Sequence, residues 1–178
     1  MQYLLSMRWP VKLAVAFFLF CLQNSSFSQY VVNGDAFSAG PDCFVITPDL
    51  QFQSGSVWYL NKVSIAEPFE LYFDINLGGK DVTGADGIAF VLQQVSTSVG
   101  STGEGLGYEG IFPSIAIELD TWQNLNRNDP PIDHISLSQN GVVNHGVPNN
   151  IAGPFPVGVN GNIEDGLFHG FRVTWNPA

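Results

Sequence analysis

The stretch Ile115–His134, IAIELDTWQNLNRNDPPIDH, decides how this chain is read. It starts as a strand. Ile115, Ile117, Leu119 and Thr121 fall on one face at a period of two, and Ala116, Glu118, Asp120 and Trp122 on the other. It then opens into a loop carrying Asn124 and Asp129, with Asp133 and His134 beyond Pro130-Pro131. Charge is scarce in the chain as a whole, at 12% of residues, so this gathering of oxygen donors and one imidazole stands out.

Glu118 and Asp120 are two apart on a strand, so both carboxylates point the same way. Burial and mutual repulsion raise their pKa values unless a cation or a base offsets them, and the nearest bases in sequence are Arg127 and His134. The prolines stiffen the return path and hold Asp129 against the strand end. The donors sort into two sets. Asp120, Asn124, Asp129 and a backbone carbonyl form an all-oxygen set suited to Ca²⁺. Glu118, Asp120, Asp129 and His134 form a mixed set suited to a transition metal such as Mn²⁺ or Zn²⁺. Asp120 and Asp129 are common to both. The plain alternative is a solvated acidic loop.

Working outward, the other legible elements are also strands. Cys43–Thr47, Ser56–Leu60, Lys62–Ile65 and Phe69–Leu77 come before the central stretch, as does the more continuously apolar Gly87–Gln93. Ile135–Ser138 follows and leads to an Asn140-Gly141 turn. Phe168–Trp175 is the last. The segment from Val142 to Glu164, with Pro148, Pro154 and Pro156, reads as long irregular connection. Ser96–Tyr108 is a Ser/Thr/Gly-rich loop, whose glycines allow backbone N–H groups to approach a ligand. No amphipathic helix and no internal repeat appears. Short strands with turn signals predict an all-β, antiparallel sandwich.

The 178 residues suit one domain with a real core. Sixteen acids against six bases give a formal charge of −10, which argues against nucleic acid or an anionic membrane surface as partner. Residues 1–28 have the form of a secretory signal. Arg8 and Lys12 precede the apolar run Leu13–Leu22, which is shorter than the ~20 residues of a membrane span. Ser26-Phe27-Ser28 fits a cleavage site, so the expected domain is 29–178 and the expected location is outside the cell. Cys43 is then the remaining cysteine and is expected to be a small buried apolar residue. His145 and His169 have no nucleophile beside them and are expected to be structural.

Glu118-x-Asp120-x-Trp122-x-Asn124, then Asp129-Pro130, then His134, resembles the metal motif of the L-type (legume-type) lectins. Gly84–Phe90, GADGIAF, is similar to a second segment of that family, and Gly103–Tyr108 with Gly110-Ile111 to its glycine-rich loop. The resemblance covers residues 29–178 and corresponds to the front portion of the family's domain. It implies a concanavalin A-like jelly-roll sandwich, C-terminally incomplete in this chain, within a secreted protein of bacterial type. It also implies Ca²⁺ plus a transition metal, Mn²⁺ first among them, held by Glu118, Asp120, Trp122, Asn124, Asp129 and His134. Trp122 would contribute its backbone carbonyl. Glycan would be bound by Asp86, Gly103, Gly105, Trp122 and Asn124, with a cis peptide after Ala85 setting Asp86. The family's fourth sugar-contacting loop would lie beyond Trp175, so the preferred sugar does not carry over. Weak single-site binding implies multivalency through oligomers or further modules.

Two other function classes compete. Glycoside hydrolases of the same fold carry Glu-x-Asp-x-x-Glu, and retaining chemistry needs a carboxyl pair ~5–5.5 Å apart with one proton donor. Here Gln123 stands at the acid/base position and cannot serve. An adhesive or structural module of a large surface protein would need neither metal nor Asp86. The expected function is a metal-dependent carbohydrate-binding domain without enzymatic activity.

Overall fold

The computed structural model describes residues 4–8 and 29–177, and of residues 4–8 the backbone alone. Eleven strands follow in chain order. They are β1 (Leu4–Arg8), β2 (Tyr30–Gly34), β3 (Phe37–Gly40), β4 (Cys43–Val45), β5 (Gly55–Tyr59) and β6 (Phe69–Asn76). Then come β7 (Gly87–Gln93), β8 (Ser114–Asp120), β9 (His134–Gln139), β10 (Asn150–Pro156) and β11 (His169–Trp175). The described residues form no α-helix, only short 3-10 turns at Gly103–Gly105 and Leu125–Arg127. Every strand pairing is antiparallel, as the alternating patterns predict.

Two sheets face each other. One runs β11-β6-β1-β4-β3 and the other β10-β9-β8-β7, while β2 and β5 make a separate pair. The alternation of β6 and β8 explains the main core. Phe73 and Ile75 from the first sheet, with Leu77 just past the end of β6, meet Leu119, and Ile88, Phe90, Ile117 and Ile135 of the second sheet pack around them. Each such side chain fully removed from water contributes roughly 1.5–3 kcal/mol.

The opposite face of β8 is not the wet face of a simple sandwich. Leu106, Tyr108 and Ile111 of the glycine-rich loop, with Val143, cover Ala116 there. The second sheet is therefore buried on both sides, and Glu118 is sealed beneath a loop at 1% exposure. The Asn140-Gly141 turn forms with both residues at positive φ, 62° and 68°, the left-handed pair that Asn-Gly accommodates.

The structure departs from the expected elements in several places, and Tyr30–Gly34 is a strand that the local pattern does not announce. Lys62–Ile65 is not a strand. Phe37–Gly40, unremarked in the sequence, is one. Asn150–Pro156, expected to be irregular, is the edge strand β10, paired to β9 with two register shifts. Prolines mask such a strand, yet an edge position tolerates their missing N–H. The expected signal segment lies outside the described residues apart from β1, which pairs between β4 and β6. Cleavage after Ser28 would take β1 away and leave those two backbone edges facing each other unpaired.

Candidate metal centre and ligand site

The centre grows from one cross-strand pair. Asp120 at the end of β8 lies opposite His134 at the start of β9, and Glu118 lies opposite Ser136. On the other side Gly87 faces Asp120. A Cβ on Gly87 would come within 2.2 Å of the Leu119 carbonyl oxygen, so glycine is what lets β7 close up beside Asp120. The residue before it, Asp86, therefore reaches the same sheet end. Its carbonyl accepts the Thr121 N–H at 2.9 Å, and the Ala85–Asp86 peptide is cis.

The loop after β8 is folded by carboxylates. Asp120 Oδ1 accepts the Trp122 N–H at 2.8 Å, and Asp129 Oδ2 accepts the Asn124 N–H at 2.7 Å. Gln123 donates through its side-chain amide to the Asp129 carbonyl at 3.2 Å. Those bonds leave the other atoms pointing inward. Asn124 Oδ1 and Asp129 Oδ1 are both buried and accept no hydrogen bond. Uncompensated buried acceptors cost roughly 1–3 kcal/mol each, so this arrangement asks for an electrophile.

Electrostatics point the same way. Burial, with Asp129, Glu118 and Asp86 nearby, pushes Asp120 up to about 8. Burial also raises Asp129 and Asp86, and lowers His134 so that its imidazole stays neutral. Glu118 accepts from the Tyr108 hydroxyl at 2.7 Å and from the Ser136 hydroxyl. Neutral imidazole, clustered carboxylates and a free amide oxygen are the donor types that Ca²⁺ and a transition metal require.

His145 was expected to be structural, and the structure corrects this. Its side chain is 2% exposed, and its Nε2 stands 3.0 Å from His134 Nε2, 3.3 Å from Asp129 Oδ1 and 3.5 Å from Glu118 Oε1. His134 Nδ1 faces the Ile132 carbonyl at 3.0 Å, which directs its other nitrogen into the cluster. Asp129, His134 and His145 thus offer donor atoms to one point. His145 lies eleven positions after His134, beyond the rest of β9 and the Asn140-Gly141 turn, so strand periodicity does not relate the two. The one sequence signal was a second histidine in a chain that has three.

The expected glycan-contacting residues gather beside this centre. A Cβ on Gly103 would lie 3.8 Å from Asp86 Oδ2, so the glycine-rich loop borders Asp86. Glu104 is bound by Arg127 at 2.7 Å and by Asn126, which ties that loop to the one following Asn124. Arg127 also holds Glu109 at 2.7 Å. Trp122 is 42% exposed, so its indole is surface and not core. Gly105 is buried, and its N–H is turned to the Thr102 carbonyl at 3.3 Å. His169 sits away from the centre, paired with Asp165 at 2.8 Å.

A β-sandwich with this strand-end centre and bordering loops defines a lectin-type domain. Residues 22–178 match the family described as the legume lectin β-barrel domain, and the chain belongs to that family. It is 35% identical to Lectin-4 of Griffonia simplicifolia over 101 residues, covering 51% of this chain and 40% of that protein. It is 39% identical to the galactose-binding lectin of Arachis hypogaea over 69 residues, 35% of this chain and 25% of that one. A pesticidal crystal protein, Cry22Aa of Bacillus thuringiensis, shares 34% identity over 97 residues, 53% of this chain and 13% of its own. The matches span less than half the length of each of these relatives. Membership in a lectin family, with Gln123 in place of a carboxylic acid, sets the glycoside hydrolase reading aside for this domain.

Proposed function

We propose that this domain binds carbohydrate at the shallow surface bordered by Asp86, Gly103, Trp122 and Asn124, and that bound cations hold that surface in shape. The observation that carries this is the pair of buried oxygens that accept no hydrogen bond, Asn124 Oδ1 and Asp129 Oδ1, among carboxylates whose pKa values burial raises. Asp120, Asn124 and Asp129 would hold Ca²⁺, with the Trp122 carbonyl. Glu118, Asp120, Asp129 and His134 would hold a transition ion, with His145 as an added donor. The ions supply positive charge that keeps Asp120 and Asp129 ionised together.

The protein's own groups do the recognition. Asp86 accepts from sugar hydroxyls, and Asn124 donates through its amide once its oxygen is engaged. The exposed Trp122 indole offers an apolar face to a sugar's C–H surface. A few directional bonds on an open surface give weak single-site affinity, so multiple copies or further modules would supply strength. The domain would act outside the cell, delivered by the segment ending at Ser28.

The test is a glycan array probed in Ca²⁺ and in EDTA. Galactose-terminated glycans come first, because one relative is a galactose-binding lectin. Binding in Ca²⁺ that disappears in EDTA and in Asp86→Ala is the expected result. Equal binding in EDTA would refute the metal requirement, and full binding by Asp86→Ala would refute the site.

A further inference from the structure

The geometry points to a further cation site, separate from the centre above, formed by Asp81, Asp133 and Glu164 with the Thr121 hydroxyl, and of a chemistry suited to Ca²⁺. The three carboxylates each bring an oxygen within 4.8 Å of the others. Asp133 is 5% exposed and Glu164 2%. Neither Glu164 oxygen has a hydrogen-bond donor in place, although both are buried. Thr121 gives an independent indication. It is 6% exposed, and its buried hydroxyl is turned to Glu164, close enough to lower that carboxyl's pKa but short of a well-formed hydrogen bond.

Adjacent residues serve the two sites from opposite faces of one strand end. Asp120 points into the first centre, and Thr121, next in sequence, points to the other side. Likewise His134 belongs to the first and Asp133 to the second. The sites therefore share backbone but no side chain. All the donors at the second site are hard oxygens, with no imidazole or thiolate. That set selects Ca²⁺ over softer ions.

The surrounding chain is built to hold these oxygens still. Asp133 Oδ2 accepts the Ile163 N–H at 2.8 Å, and the Asp133 N–H donates to the Gly161 carbonyl at 2.9 Å. Asn162 Oδ1 accepts the Glu164 N–H at 2.7 Å. Burial and the Asp133 and Asp81 charges raise Glu164 to about 8, as expected of carboxylates gathered without a counter-charge. A cation here would clamp three segments together: the β6–β7 loop, the start of β9 and the connection into β11. The first of these carries Asp86 five residues after Asp81, so the clamp would also steady the carbohydrate-binding loop. That last consequence rests on the proposed function, whereas the cation site does not.

The test is calorimetric titration of the metal-stripped full chain with CaCl₂, in wild type, Glu164→Gln, Asp81→Asn and Asn124→Ala. Gln has the shape of a protonated Glu164, and Asp81 is exposed, so both variants should fold, as far-UV circular dichroism will show. Glu164→Gln should bind one Ca²⁺ equivalent fewer than wild type, and Asp81→Asn should bind that equivalent at least tenfold more weakly. Asn124→Ala should lose a different equivalent and keep this one, so failure of the first centre is seen separately. A folded Glu164→Gln that binds as many equivalents as wild type overturns the proposal and leaves a proton shared between carboxyls as the occupant.

Discussion

His134 Nε2 and His145 Nε2 face each other at 3.0 Å, inside a pocket that also holds the Glu118 and Asp129 carboxylates. Two imidazole nitrogens at this distance need a proton or a metal between them. Imidazole suits Zn²⁺, Ni²⁺ and Co²⁺ better than Mn²⁺, which favours oxygen. His145→Ser should weaken Zn²⁺ binding at least tenfold, since even partners that merely orient a ligand are worth about 10–100-fold. Mn²⁺ binding should change less. The ratio of the two dissociation constants, measured by calorimetry, decides the matter. An unchanged ratio would remove His145 from the donor set.

The metal-free protein should be acid-favoured. Burial holds Asp120 and Glu164 at about 8 in the folded chain, against roughly 4 when unfolded. Between those values the fold keeps protons that the unfolded chain has lost. The contribution of these groups is therefore complete below about pH 4 and disappears as pH rises toward 8. In EDTA the Tm should fall across that window, by roughly 2–4 °C for each kcal/mol lost in a chain of this size. Saturating Ca²⁺ should flatten or reverse the slope. A Tm in EDTA that rises steadily to pH 8 would contradict the burial of these acids.

Trp122 separates binding from stability. Its exposed indole contributes little to the core, so Trp122→Ala should shift stability by no more than about 0.5 kcal/mol. Loss of the aromatic face should nonetheless reduce glycan affinity, by roughly tenfold if stacking is worth ~1–1.5 kcal/mol. Paired thermal melts and glycan titrations check both halves. A large stability loss with intact binding would reverse the assignment.

Tyr108 should behave in the opposite way. It is fully buried and donates its one hydroxyl proton to Glu118 at 2.7 Å, with the Val142 carbonyl oxygen 3.2 Å from the same hydroxyl. Tyr108→Phe leaves a buried carboxylate short of a donor, at a cost of roughly 1–3 kcal/mol. The urea midpoint should drop by the corresponding amount, with the m-value unchanged. An unaltered midpoint would show that Ser136 alone satisfies Glu118.

Much of the framework was legible in local pattern. Phe69–Leu77 and Ser114–Asp120 alternate cleanly because one of their faces builds the core. Proline and bulges hid β10, since its ladder is interrupted where the pattern would be sought. Glu118 could be placed on a strand face, but its burial could not be read, because the lid above it comes from Leu106, Tyr108 and Val143 in other segments.

The sequence by itself determined that Glu118, Asp120, Asn124, Asp129 and His134 form one set. Strand periodicity fixes which way a side chain points, and a short proline-stiffened loop fixes which partner comes opposite, as Asp120 and His134 do. Tertiary structure alone decided that His145 joins that set, and that Asp81, Asp133 and Glu164 meet on the other side of the same strand end. Those residues lie on long connections whose return path is set by packing over the whole core. No period in the local sequence records where such a path ends.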